Sequence, residues 1–304
     1  MIKLEKISKT YKTKRSEVEA LTNISLTVKK GRVAGLIGPN GAGKSTLVKI
    51  IVGILQPSSG LVRVADKIPY RERQELAPQL GVMFGNRSSL IFQLPLIDSV
   101  LLMKDIYDLD NTTYRKRLDE YVSILGLADL LDKRVREMSL GQRIKSELLI
   151  TLLHNPKILI FDEPTLGLDI IAKQSFRNIL RNLAAKEGKT IVITSHDLVD
   201  IEQSCDDVFL INKGELLQTF ERKMFEHEIS AYRVLTVSND IEIPAEIRAY
   251  LRESNDLKHK LFLPKGDLDM VINAIRLTNG ADINFEVSSP NLEDMVYENY
   301  KVEN

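Results

Sequence analysis

The sequence predicts an α/β fold with a mostly parallel sheet, followed by a smaller α+β domain. Three observations carry that prediction. Short apolar strands alternate with helical stretches through most of the chain, and such alternation implies right-handed crossovers between parallel strands. One of these strands, "VAGLIG", runs directly into the glycine-rich turn "GPNGAGKS" and then a helix. A break near Met224 precedes a second, shorter series of strand and helix patterns.

Taken in order, "IKLEKISKTY" and "ISLTVKKG" have the composition and alternation of strands. "VAGLIG" reads as a short buried strand, and "TLVKIIVGIL" after the turn reads as a helix. From Pro95 to Glu137 β-branched runs are few and the pattern turns helical, which marks an inserted helical subdomain at about residues 87–155. Within it, "MSLGQR" leads a stretch with Ile144, Leu148, Leu149 and Leu152 at helical spacing. The strand "KILIFDEP", a helix from Ile170 to Lys186 and the strand "TIVITSH" continue the alternation, before "LVDIEQSC", "DVFLIN" and the turn "KGEL". Beyond the break, "YRVLTV", "PAEIRAYLRES", "HKLFLP", "LDMVINAIRL" and "INFEVS" alternate strand and helix, and "NLEDMVYENY" closes the chain as a helix. The predicted domains are residues 1–222 and 225–304.

Composition narrows the function classes. The chain has 304 residues, 43% hydrophobic and 28% charged, as expected of a soluble globular protein. One cysteine, Cys205, excludes an internal disulfide and any cysteine-cluster metal site and fits a reducing compartment. No apolar run approaches the ~20 residues that span a bilayer, and "MIKLEKISKTYK" lacks the apolar core of a signal peptide. A cytosolic protein is expected, with any membrane role supplied by a partner. Net charge is zero, but residues 225–304 hold 8 Lys and Arg against 15 Asp and Glu. That acidic segment argues against a nucleic-acid-binding arm there, and no nucleic-acid partner is expected.

Three motifs carry chemistry. Gly38, Pro39, Asn40, Gly41, Ala42, Gly43, Lys44 and Ser45 match G-x-x-x-x-G-K-[ST], with a strand before and Thr46 opening the helix stretch after. The glycines let backbone N–H groups curl toward phosphate oxygens, Lys44 adds a charge at the β/γ-phosphates, and Ser45 can ligate Mg²⁺. In "KILIFDEP", Asp162 and Glu163 emerge at the C-terminal end of a buried strand, where open α/β sheets bind ligands. Asp162 is placed for the Mg²⁺ shell, through water, and Glu163 to orient or deprotonate an attacking water. Ser139 and Gln142 match a helix capping box, so "MSLGQR" reads as a cap, a site, or both.

The order "GPNGAGKS", "MSLGQR", "ILIFDEP", "LGLD", "TSHD" resembles the ATP-binding subunit of an ABC transporter over residues 1 to about 222. The resemblance implies a P-loop ATPase core with an antiparallel β-subdomain and an inserted helical subdomain. It implies that Ser139, Leu140, Gly141 and Gln142 form the signature motif and face ATP bound to the opposite subunit. The family has Leu-Ser-Gly-Gly-Gln there, and Leu140 replaces the first glycine. Tyr11 stands where the family stacks an aromatic on adenine, Asp169 is the D-loop aspartate, and His196 is the H-loop histidine on the γ-phosphate, with a catalytic role beside Glu163. The Q-loop position, which contacts Mg²⁺, falls on Asn86, with Gln93 as the alternative. "SPNLEDMVYENY" resembles the extension found after exporter-type ATPases. The implied function is ATP hydrolysis with Mg²⁺ in a head-to-tail dimer, driving export through separate transmembrane permease subunits at the cytoplasmic face of the cell membrane. The rival is a soluble ATPase of this kind acting on ribosomes or DNA. Such proteins usually carry two modules or a long coiled coil, and this sequence has one module and no heptads.

Overall fold

The computed structural model describes residues 1–12, 17–85, 87–222, 229–280, 282–294 and 296. The chain divides into two compact units, Met1–Thr219 and Phe220–Asn304.

In the first unit the chain runs through β1 (Ile2–Lys12), β2 (Glu17–Val28), β3 (Val33–Ile37), α1 (Lys44–Ile51), β4 (Ser59–Val64), α2 (Arg73–Leu76) and β5 (Leu80–Phe84). It then forms α3 (Leu96–Ile106), α4 (Asn111–Leu125), α5 (Leu140–Leu152), β6 (Ile158–Asp162), α6 (Ile170–Glu187), β7 (Thr190–Thr194), α7 (Leu198–Ser204), β8 (Asp207–Asn212) and β9 (Glu215–Glu221). Two sheets result. One is antiparallel in the order β2-β1-β4. The other has the order β5-β6-β7-β3-β8-β9, and its pairs from β5 to β8 are parallel.

The sequence explains the layers. β1 and β2 bury alternate residues, with Leu4 opposite Leu26 and Ile2 opposite Val28, so one face of that sheet joins the core. β3 and β7 are buried along their whole length, as parallel strands covered on both faces must be. Ile2, Leu26, Leu36, Leu47, Ile51, Ile160 and Val192 belong to one continuous core, which joins both sheets to α1. The inserted helices are set by their ends. Asp110 accepts hydrogen bonds from Thr112 N and Thr113 N to start α4, and left-handed Gly126 ends it.

The second unit contains β10 (Tyr232–Ser238), β11 (Leu251–Ser254), β12 (Lys258–Pro264), α8 (Leu268–Asn279) and β13 (Glu286–Ser288). Its antiparallel sheet has the order β11-β12-β10-β13. Leu235, Leu261, Leu263, Val271 and Ile275 form a core of its own.

Several elements differ from the sequence reading. The "TLVKIIVGIL" helix stops at Ile51, because Gly53 takes φ +78 and any Cβ there would lie 2.4 Å from the Pro69 carbonyl oxygen. "PAEIRAYLRES" is divided between a 3-10 helix, Ala245–Tyr250, and β11. β4 carries only a weak strand signal, because "SGLVRV" is short and glycine-containing, and β9 begins inside the "KGEL" turn that the sequence marks. Of the closing "NLEDMVYENY" stretch, Leu292, Glu293, Asp294 and Val296 are helical, and residues 295 and 297–300 lie outside the described residues. No helix among the described residues is long and apolar enough to cross a membrane.

Candidate active site

The phosphate-cradle sequence folds as a loop between β3 and α1. A Cβ on Gly38 would fall 2.0 Å from the Ile211 carbonyl oxygen, so no side chain fits. Lys44 opens α1 and is 7% exposed, and its Nζ donates to the carbonyl oxygens of Gly38 (2.7 Å) and Pro39 (3.1 Å). A carbonyl pair thus holds the cation at the mouth of the loop. A cavity of about 360 Å³ is lined by Asn40 to Thr46 together with Ala20, Glu163, Leu166 and His196.

The parallel register brings Asp162, at the end of β6, beside Thr194, at the end of β7. Thr194 Oγ1 donates to Asp162 Oδ1 at 2.7 Å and accepts from Glu163 N at 2.9 Å. Glu163 has φ +54, a left-handed backbone of the kind that costs about 1 kcal/mol or more in a non-glycine residue. Its N–H also donates to the Thr194 carbonyl oxygen at 3.2 Å. The turn aims the Glu163 carboxylate at His196 Nδ1 (2.8 Å) and places it 4.0 Å from Lys44 Nζ. Thr194 was missed by sequence reasoning. The signal lay in "TIVITSH", whose threonine falls at the strand end that pairs with "KILIFD".

Ser45 Oγ lies 3.4 Å from Asp162 Oδ1. Two hard oxygen donors suit Mg²⁺, which keeps several waters and takes further ligands from substrate phosphates. No group of three His, Cys, Asp or Glu capable of holding a metal occurs among the described residues, so these residues fit a phosphate-assisted ion and not an all-protein cage.

The remaining candidates lie elsewhere. Ser139 Oγ accepts from Gln142 N (3.2 Å) and Gln142 Oε1 accepts from Ser139 N (3.0 Å), so the capping box is formed at the start of α5. None of Ser139 to Gln142 lines the cavity around Lys44. Leu140 is 44% exposed. Asp169 caps α6 through Ala172 N, 2.8 Å from its Oδ1. Tyr11 is exposed near the end of β1, with Lys9 Nζ 5.5 Å from its ring centre, and lies outside the cavity lining. Asn86 lies outside the described residues. Gln93 Oε1 accepts from Arg136 Nη1 at 3.2 Å.

Residues 21–166 match the ABC transporter family. A relative from Bacillus subtilis (strain 168), the ABC transporter ATP-binding protein NatA, is 33% identical over 217 residues, covering 71% of this chain and 88% of NatA. This chain belongs to the ABC transporter family. Another relative in the family, the methionine import ATP-binding protein MetN of Histophilus somni (strain 129Pt), is 32% identical over 222 residues, 72% of this chain and 64% of MetN. Among solved structures, the dimeric post-hydrolysis state of the ATP-binding cassette MJ0796 bound to ADP and Pi is 27% identical, with a TM-score of 0.66 over 73% of this chain and 99% of that one. The fold is that of an ABC ATPase cassette.

Proposed function

We propose that this protein hydrolyses ATP as a head-to-tail dimer and powers transport through separate permease subunits at the cytoplasmic face of the membrane. Residues 1–222 act as the ATPase domain and 225–304 as an accessory domain. The observation that carries the reading is the network Asp162–Thr194–Glu163–His196 at the mouth of the loop that holds Lys44.

Lys44 and the loop N–H groups bind the β- and γ-phosphates, and Tyr11 stacks on adenine. Ser45, and Asp162 through water, would hold Mg²⁺, with Asn86 at the Q-loop position. When bound, the ion would neutralise charge on the phosphates. Glu163 takes a proton from water as the water oxygen bonds to the γ-phosphorus. The bond to the ADP oxygen breaks and ADP leaves with the electron pair. His196 holds the Glu163 carboxylate in line and meets the γ-phosphate. Ser139 and Gln142 of one subunit, with Leu140 and Gly141, face the ATP on the other, and Asp169 lies at the same interface. The dimer of the MJ0796 cassette supports this arrangement. The export direction implied by the C-terminal extension finds no support in the comparisons, which name a methionine import protein, and it forms no part of the proposal.

The test is ATP hydrolysis by the purified full chain. Glu163→Gln should keep ATP affinity and lose ~10²–10⁴-fold in turnover, the usual size of a general-base role. Lys44→Ala should lose ATP binding while remaining folded. Hydrolysis near wild type in Glu163→Gln overturns the assignment.

A further inference from the structure

α5 carries a carboxylate that the reading above does not use. Glu147 sits in its middle and is 7% exposed. Its Oε2 accepts from Ser88 Oγ at 2.6 Å and its Oε1 from Ser89 N at 2.7 Å. A buried carboxylate is costly unless hydrogen bonds replace its water, and here both oxygens are occupied by one loop. Ser88 Oγ accepts in turn from Leu90 N at 3.1 Å, so the loop is built around this acid.

The same loop is fixed at its other end. Gly85 N donates to the Asp162 carbonyl oxygen at 2.7 Å. A Cβ on Gly85 would meet the Glu163 and Asp162 carbonyl oxygens at 2.7 and 2.9 Å, so the approach requires glycine. Gly85, bonded to the catalytic strand end, and Ser88, bonded to the helix that Ser139 caps, are therefore only three positions apart. Glu147 lies eight residues beyond Ser139, about 12 Å along a helix. Arg143 reinforces the helix side: its guanidinium lies 5.2 Å from the Phe92 ring centre, and its Nε donates to the Met138 carbonyl oxygen at 3.0 Å.

We propose that Glu147 is a positioning residue for ATP hydrolysis, fixing α5 and its Ser139 end relative to the Asp162–Glu163 strand end through Ser88 and Ser89. It touches no substrate. It sets the geometry in which the catalytic strand end of one ATP site and the Ser139 end offered to the other move together. The inference rests on the assignment of Glu163 and Ser139 proposed above.

The experiment compares the full chain with Glu147→Gln, Ser88→Ala and the double variant, measuring kcat and KM for ATP, ATP affinity and thermal midpoint. Glu147→Gln replaces one of the two acceptor oxygens by an N–H₂, so only one of Ser88 Oγ and Ser89 N keeps its acceptor. Its kcat should fall about tenfold, with ATP affinity within twofold of wild type. Ser88→Ala should lower kcat less, and the double variant should be no slower than Glu147→Gln. A merely structural side chain would lower the midpoint and leave kcat per folded molecule unchanged, and that result overturns the proposal. Additive losses in the double variant also overturn it. If Glu147→Gln does not fold, Ser88→Ala decides: an unchanged kcat overturns, and a lowered kcat at unchanged ATP affinity supports. Glu163→Gln is assayed alongside. If it hydrolyses ATP normally, the catalytic assignment has failed. If it is inactive while Glu147→Gln is normal, the Glu147 proposal alone has failed.

Discussion

Thr194 fixes two acidic residues with one hydroxyl, donating to the Asp162 side chain and accepting from the Glu163 backbone. His154 does a comparable job where α5 meets the sheet. Its ring lies parallel to Tyr107 with centres 3.8 Å apart, and Nε2 donates to the Leu80 carbonyl oxygen at 2.9 Å. Burial first of all lowers its pKa from 6.5 to about 4, against the raising effect of the Leu80 bond. Between those values the unfolded chain binds more protons than the folded one, so this contribution to stability is full above about 6.5 and falls as pH drops toward 4. From pH 7 to pH 5 the loss is about 2 kcal/mol. Urea unfolding at the two pH values should show a drop in wild type that is smaller by about that amount in His154→Gln. Equal drops in the two proteins would remove His154 as the cause.

At the scale of elements, α5 shows how one structure serves as cap and candidate site. Its Ser139 and Gln142 satisfy each other's backbone N–H groups, and the exposed start of a helix carries partial positive charge that favours phosphate. Ser139→Ala should cost ~1 kcal/mol by calorimetry, the usual value of a cap. It should also weaken ATP-dependent dimerisation, and a variant that loses stability but dimerises normally would make Ser139 a cap alone. This element was legible because a capping box and an apolar period are both local patterns. So were β3 and β6, as apolar runs ending in reactive residues. The Thr194 and Glu147 contacts were not legible, because they depend on strand register and on a loop reaching a helix about 60 residues along the chain. Glu147 stands out neither by type nor by spacing, Thr194 only by its place at a strand end, and β11 differs from the helix expected there because its apolar and polar residues suit either period.

At the scale of the whole molecule, the sites proposed for one ATP are divided. Lys44, Glu163 and His196 share a cavity, whereas Ser139 to Gln142 do not line it. A complete site therefore calls for a second copy or a close relative. The surface beside α5 supports that. Leu140 is 44% exposed, Leu166 58%, and Ile170 and Ile171 81% each, and the Leu140 side chain reaches to 3.2 Å from a Cβ built on Gly167. Burying a large apolar side chain fully contributes ~1.5–3 kcal/mol, so this cluster should strengthen a dimer once phosphate contacts have aligned it. The full chain of 34.4 kDa, as Glu163→Gln to retain ATP, should double in mass by light scattering when ATP and Mg²⁺ are added. Replacing Ile170 and Ile171 together by Ser should weaken that dimer at least tenfold while leaving ATP affinity of the monomer unchanged, because neither residue lines the Lys44 cavity. Leu140→Gly should weaken it less, since Leu140 is more than half buried already. A mass that stays at one chain with ATP bound would mean that the two halves of the site do not meet across a dimer of this protein.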